Sequence, residues 1–169
     1  MAVTADPGAT ATLYDGTPDV SGPNDRVRGR RLPKTVTKVN EAIKSQLERA
    51  LPLLPGNRTD TAAATIAAGD ILIQRPGPAH VVFLHDAITN TGRGNVNIST
   101  LTAASALKAA RSTPVGNLSG ATVTFTGVGR TAPPAPPSDY VYALRVYAHE
   151  LCVRTKAASC TVVTETVTP

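Results

Sequence analysis

The run of apolar residues from Val81 to Leu84 constrains the fold of this chain more than any other feature. It ends in His85 and Asp86, and residues 87–94 that follow are polar and rich in turn formers. A short, continuous apolar run with such an end is typical of a strand buried on both faces, as in the parallel sheets of α/β proteins. Open α/β sheets bind their ligands at the carboxyl ends of their strands. Asp86 is therefore the first candidate functional residue.

The rest of the chain predicts one domain over residues 1–169. Residues 1–15 hold two short strand-like runs around a Pro-Gly turn, which predicts a β-hairpin. Prolines and glycines scattered among arginines predict a basic loop over 16–33. Helical and strand patterns alternate over 34–169, which predicts an α/β core. We expect a mostly parallel sheet flanked by helices on both faces, a three-layer Rossmann-like fold with an N-terminal hairpin.

The bounds of the predicted elements follow from apolar spacing and from residues that start helices. Thr59 or Asp60, Ser99 and the pair Ser138-Asp139 are suited to cap helices. The predicted order is a helix from Lys34 that closes at Pro55–Asn57, a helix through Ala62 to about Ile73, the strand 81–84, a helix from Leu101 to about Arg111, a strand from Ala121 to Gly129, a helix after Ser138-Asp139, and a strand from Ser159 to Val167.

Composition limits the location and the partners. The formal net charge is +5, but the basic stretch Arg26 to Lys38 has no interleaved aromatic residues, so nucleic acid is not the expected partner. No run approaches the roughly 20 apolar residues of a membrane span. Residues 1–7 lack the apolar core of a secretory signal. These features predict a cytoplasmic protein without membrane contact. There, Cys152 and Cys160 are expected to be thiols, although their spacing permits a bridge.

Two segments are predicted to approach one crevice at the carboxyl edge of the sheet. Thr59 and Asp60 precede a helix, Asp86 ends the central strand, and Thr89 and Asn90 follow in its loop. Hydroxyl and carboxylate oxygens are ligands that Mg²⁺ accepts. The alternative interpretation is structural. Asp86 would then accept hydrogen bonds within a turn, and Thr59 or Asp60 would cap the helix.

No catalytic constellation is apparent in the sequence. His85 precedes Asp86, but strand alternation is expected to point their side chains to opposite faces, so no His–Asp pair is predicted. The chain has no Gly-x-Ser-x-Gly elbow and no phosphate-binding loop, and Gly127-Val128-Gly129 lacks the remaining glycine of a dinucleotide fingerprint. These absences predict a protein that is not an enzyme.

The order of these parts resembles a von Willebrand factor A-type domain. That family's metal-ion-dependent adhesion site uses an Asp-x-Ser-x-Ser loop after the first strand, a Thr before a later helix and an Asp ending the fourth strand. Thr59 resembles the Thr, Asp86 resembles the fourth-strand Asp, and Val123 to Gly129 resembles the fifth strand. The first strand, its loop and the first helix have no counterpart. The resemblance implies a truncated domain with a degenerate site, holding either no cofactor or weakly bound Mg²⁺ at Thr59 and Asp86.

Function is predicted from this combination. The first hypothesis is a non-catalytic protein-interaction module that contacts a protein partner through Asp60, Asp86, Thr89 and Asn90. The alternative is a small α/β enzyme or nucleotide-binding domain that uses the same crevice. A third possibility is a basic nucleic-acid binder, whose affinity would fall steeply with salt.

The missing first strand leaves two options for the sheet. The hairpin could pair directly with the strand 81–84, giving five strands in the order hairpin, 81–84, the strand near Val123 and the strand near Val162. Otherwise the strand 81–84 keeps an unpaired edge, and such an edge invites pairing with another chain. In that second case we predict that the isolated chain is marginally stable, self-associating or aggregation-prone.

Overall fold

The computed structural model describes residues 1–6, 9–16, 20–53, 59–75, 77–91 and 94–165. The chain divides into two compact units, the first comprising Met1–Thr4 and Gly8–Gly56, the second Ala5–Pro7 and Asn57–Pro169. Within the described ranges, no helix combines the length and the apolar content needed to cross a membrane.

The amino-terminal elements are β1 (Ala2–Asp6), β2 (Ala9–Thr12), α1 (Asp25–Ala50) and a 3₁₀ turn (Leu51–Leu53). β1 and β2 pair in a two-stranded sheet of their own, which confirms the predicted hairpin. The predicted loop over 16–33 is wrong from Asp25 onward, because α1 begins there and continues through Pro33. Asn24 fixes this start, since its side chain accepts a hydrogen bond from the backbone N–H of Val27 at 3.0 Å. Pro33 has no N–H and so removes one intrahelical hydrogen bond. The Asn24 cap and the hydrogen bonds of the turns on either side keep the segment helical.

The remaining elements are α2 (Thr61–Gln74), β3 (His80–Leu84), α3 (Ala103–Ser112), β4 (Thr122–Thr126), α4 (Ser138–Arg154) and β5 (Ser159–Val163). The three strands form a parallel sheet in the order β3-β4-β5. This confirms an α/β fold with a parallel sheet flanked by helices. The predicted extension of the last strand to Val167 falls partly outside the described residues.

The helix starts follow local hydrogen bonding. Asp60, not Thr59, caps α2, and its carboxylate accepts hydrogen bonds from two backbone N–H groups of the first turn, at 2.9 and 3.1 Å. Ser99 does not cap α3, because Thr102 and Ser105 form a reciprocal capping box three residues later. The prediction that Ser138-Asp139 caps α4 is wrong, because the helix already begins at Ser138, its N-cap residue is Pro137, and no side chain caps it.

The core around β3 lies on one face of the sheet. Phe83 and Phe125 stack there, with ring centroids 4.6 Å apart, among fully buried side chains of α3 and α4. The prediction that β3 is buried on both faces is wrong for alternate residues, because Val82 is 49% exposed and Leu84 is 64% exposed. Successive strand residues point to opposite faces. A continuous apolar run cannot indicate which of those faces is covered.

The ladder between β3 and β4 determines which backbone groups of β3 point outward. It starts with a hydrogen bond from Thr122 N–H to the Ala79 carbonyl (2.9 Å) and ends with one from His85 N–H to the Thr126 carbonyl (3.0 Å). Bonding alternates along a parallel ladder, so odd-numbered β3 residues bond β4. The outward N–H and C=O groups belong to His80, Val82 and Leu84.

β3 is therefore an open edge strand. Among the described residues, no backbone hydrogen bond reaches its outward groups, and the hairpin forms a separate sheet. Of the two predicted arrangements, the described residues show the unpaired edge and not the closed five-stranded sheet. The order from β3 through the strands near Val123 and Val162 is as predicted.

Cys152 and Cys160 form a disulfide, so the prediction of two thiols is wrong. Their Cα atoms lie 5.9 Å apart, within the ordinary range for a bridge. Cys152 lies in the last turn of α4, which packs against β5, and Cys160 lies on the core side of that strand. The short connection from α4 to β5 brings the two side chains together. Cellular location, from which the thiols were predicted, carries no information about this packing.

A glycine at residue 116 permits α2 to dock. A Cβ atom there would lie 2.0 Å from the carbonyl oxygen of Thr65, and the Gly116 N–H donates to the Thr65 hydroxyl at 3.1 Å.

We expect Gly116→Ala to lower the free energy of unfolding by about 3 kcal/mol, because the backbone of α2 or of residue 116 has to move. Urea denaturation followed by circular dichroism measures this. Gly29→Ala in α1, where nothing lies within 4 Å, is the control and should not lower stability. Equal midpoints for the two variants would contradict the docking.

Candidate functional site

The predicted site residues meet where β3 ends and α2 begins. The side-chain oxygen of Asn90 accepts a hydrogen bond from the Thr59 N–H at 2.8 Å, and the Asn90 N–H donates to the Thr59 carbonyl at 3.0 Å. The carboxylates of Asp60 and Asp86 both act electrostatically on the imidazole of His85. The structure thus brings together the two segments that the sequence places at one crevice.

Thr89 supports this site from inside the core. It is fully buried, and its hydroxyl oxygen accepts a hydrogen bond from the Thr61 N–H at 3.2 Å. The hydroxyl oxygens of Thr61 and Thr89 lie 2.8 Å apart, and the Tyr147 hydroxyl donates to Thr89 at 3.4 Å. Burial raises the pKa of Tyr147 to about 12, so its proton stays in place. Thr89 has no surface to offer a partner and acts by positioning the loop.

His85 and Asp86 lie side by side, contrary to the prediction that they point to opposite faces. The Nδ1 atom of His85 is 3.3 Å from Oδ1 of Asp86. Alternation applies only within a strand, and β3 ends at Leu84. The backbone then turns at Ala87, whose φ of 62° lies in the left-handed region. This turn brings the two side chains to the same side.

The turn at Ala87 is held from several directions. A left-handed backbone costs a residue other than glycine about 1–2 kcal/mol, so its surroundings must impose it. Asp86 supplies much of the restraint, because its carboxylate accepts a hydrogen bond from Ile88 N–H (2.9 Å) and its carbonyl accepts one from Gly129 N–H (2.8 Å). The Ala87 side chain is fully buried. The end of β3 is consequently a rigid support for Asp86.

His85 is held in its neutral form. Burial lowers its pKa, and the carboxylates of Asp86 and Asp60 oppose that effect. The Ala87 N–H donates to Nδ1 at 2.7 Å, which occupies this lone pair and places the ring proton on Nε2. Nδ1 therefore has no proton to donate to Asp86, and the pair is not arranged as a proton relay.

The carboxylates of the site already accept hydrogen bonds from backbone N–H groups. One oxygen of Asp60 caps α2, and one oxygen of Asp86 bonds the following turn. Within the described part of the chain, no group of three His, Cys, Asp or Glu side chains could hold a metal ion. Thr59 and Asp86 alone would leave most of an octahedron to water. These residues do not fit a preformed magnesium site, and binding of Mg²⁺ there stays a prediction.

Two tyrosines of α4 that were not predicted as site residues fix the loop after β3. The Tyr140 hydroxyl donates to the Val96 carbonyl at 3.0 Å. Burial, followed by the nearby charge of Asp86, raises the pKa of Tyr140. A Cβ at residue 94 would lie 2.6 Å from the Tyr147 hydroxyl, so this position needs glycine. Both tyrosines reach the site through packing of α4, which no local pattern reveals. Thr61 could have been recognised, because it directly follows the Asp60 cap.

Comparisons with known proteins identify no relative, because no protein-family model, curated protein or solved structure matches the chain. The resemblance to a von Willebrand factor A-type domain therefore stays a prediction. Function has to be inferred from the chain's own geometry.

We expect Asp86→Asn to lower the pKa of His85 further, because the substitution removes a negative charge that favours the imidazolium. NMR titration of the imidazole signals measures this, with His85→Gln assigning them. In the unchanged chain the midpoint should lie below 6.5. Asp139→Asn removes the same charge from the exposed first turn of α4 and serves as the control. A midpoint raised by Asp86→Asn would contradict the proposed electrostatics.

The same titration predicts a pH dependence of stability. The unfolded chain takes up a proton at His85 near pH 6.5, whereas the folded chain does so only at lower pH. Because the unfolded state binds more protons in this window, the contribution of His85 to the free energy of unfolding falls as pH drops below about 6.5, until the folded pKa is reached. Urea midpoints between pH 7 and pH 5 should decline less in His85→Gln.

Magnesium binding by the chain is expected to be weak or undetectable by calorimetry, because the available ligands are too few. The measurement titrates Mg²⁺ into the unchanged chain and into Asp86→Ala, with Asp139→Ala as the control for loss of a carboxylate elsewhere. Tight binding that only Asp86→Ala abolishes would show that a complete site forms on metal addition.

Proposed function

We propose that the chain is a non-catalytic protein-interaction module that binds its partner at the open edge of β3 and at the carboxyl end of the same strand. The observation that carries this proposal is the edge itself. β3 has one neighbouring strand, its outward backbone groups have no backbone partner among the described residues, and Val82 and Leu84 are exposed beside them. An exposed apolar edge strand is a template for an added strand.

Polar groups continue this surface past the strand. The Asp86 side chain is 36% exposed, and Thr59, Asp60 and Asn90 are half-buried around it. Each carboxylate keeps a second oxygen that can accept hydrogen bonds from cationic or amide groups. Backbone pairing along β3 would supply affinity, and the polar end would set the position of the partner.

The described side chains around His85 do not support the enzyme alternative. Nδ1 of His85 already accepts a backbone hydrogen bond, and the Thr61 hydroxyl that lies 3.5 Å from it belongs to a fully buried residue. The disulfide also counts against the predicted cytoplasmic location. Disulfides persist in oxidising compartments, so the bridge between Cys152 and Cys160 favours such an environment.

Site-specific photocrosslinking in the native host tests this proposal. Benzoylphenylalanine at Leu84, which is 64% exposed, is expected to give a covalent adduct with a protein. The same probe at Tyr142 on α4, which is 62% exposed, is the matched control and should give none. Adding Val82→Pro removes an outward N–H and should lower the yield at Leu84. Equal yields at both positions, or none at Leu84, would contradict the proposal.

A further inference from the structure

We infer that the occupant of the open β3 edge is a second copy of this chain, paired antiparallel about a two-fold axis through Val82. This inference rests on the proposed interaction at β3 and names its partner. Two three-stranded sheets would thereby join into one continuous sheet of six strands.

The backbone of β3 is self-complementary in this register. Its outward N–H and C=O groups belong to three alternate residues with Val82 at the centre. Antiparallel pairing about Val82 places it opposite its own copy and places His80 opposite Leu84 of the second copy. Each of these pairs exchanges both of its hydrogen bonds. A register shifted by one residue sets outward groups against inward ones, and a shift by two leaves one outward residue unpaired.

The side chains fit the same symmetry. His80, Val82 and Leu84 all lie on the face of the sheet opposite Phe83. Directly opposed residues of an antiparallel pair share a face. Val82 would therefore pack against its copy, and Leu84 against the His80 ring. Pairing about the two-fold axis would therefore cover both exposed apolar side chains of the strand, Val82 and Leu84.

Charge and local composition favour an identical partner. Edge strands of monomeric proteins commonly carry a Lys, a Pro or an inward charge that prevents pairing. Residues 80–84 contain no Lys, Arg, Asp, Glu or Pro. Pairing of two copies in this register therefore sets no like-charged side chains of β3 against each other, despite the net charge of +5 on each chain.

Cysteine crosslinking tests the register. The native cysteines are joined to each other, so an introduced cysteine is the one free thiol of the oxidised chain. Val82→Cys is expected to form a covalent homodimer in air, because it faces its own copy at bridging distance. Leu84→Cys is the matched control and should not, because its copy lies four residues away along the partner strand. A mixture of His80→Cys and Leu84→Cys should crosslink between the two variants.

The outcomes separate this inference from the proposed function. A Val82→Cys homodimer without a Leu84→Cys homodimer, and a Leu84 photoadduct with twice the mass of the chain, support the two-fold pairing. Equal crosslinking of both cysteine variants overturns it. If Val82→Cys forms no dimer and the photoadduct has another mass, the inference that the partner is a second copy is overturned. The proposed interaction at β3 then stands. Absence of both dimer and photoadduct overturns the inference and the proposed function together.

Discussion

The rest of the structure around β3 depends on its ladder with β4. The register sets Phe83 beside Phe125, which places the stacked rings on the face that α3 and α4 cover. The same register sends Val82 to the other face and turns its backbone groups away from β4. The ladder ends with the hydrogen bond from His85 N–H to the Thr126 carbonyl, and the turn at the candidate site follows directly. One set of backbone hydrogen bonds thus determines the core, the open edge and the direction of the site.

The site is a rigid scaffold more than a reaction centre. Its buried hydroxyls, those of Thr61, Thr89 and Tyr147, bond one another, and among the described residues no buried side-chain nitrogen or oxygen lacks a partner. Buried polar networks of this kind are stabilising when every member is satisfied. The consequence is a loop whose exposed carboxylates are fixed in place. Such positioning suits recognition, where a surface must keep its shape, better than proton transfer, where His85 would need a free lone pair.

Local patterns predicted the elements except the start of α1, where they predicted a loop, and packing decided the remainder. The Asp60 cap and the apolar run of β3 depend on neighbours in sequence, so both were found. The pairing of His85 with Asp86 depends on where the strand stops, and the disulfide of Cys152 depends on how α4 packs against β5. Tyr147 reaches Thr89 across 58 positions of sequence. Residue types carry no signal for contacts made at such separation.

The two edges of the sheet differ in a way that gives β3 its role. Val82 is opposite Thr124, and Thr124 is opposite Thr161, so the three side chains share one face. On β5 that face presents the exposed hydroxyl residues Ser159 and Thr161, which water solvates at little cost, and Val163, which is already half-buried. On β3 it presents Val82 and Leu84 beside backbone groups that have no backbone partner among the described residues. Covering β3 removes apolar surface from water and forms backbone hydrogen bonds in the same step, whereas covering β5 gains far less apolar burial. The driving force for association is therefore concentrated on one edge.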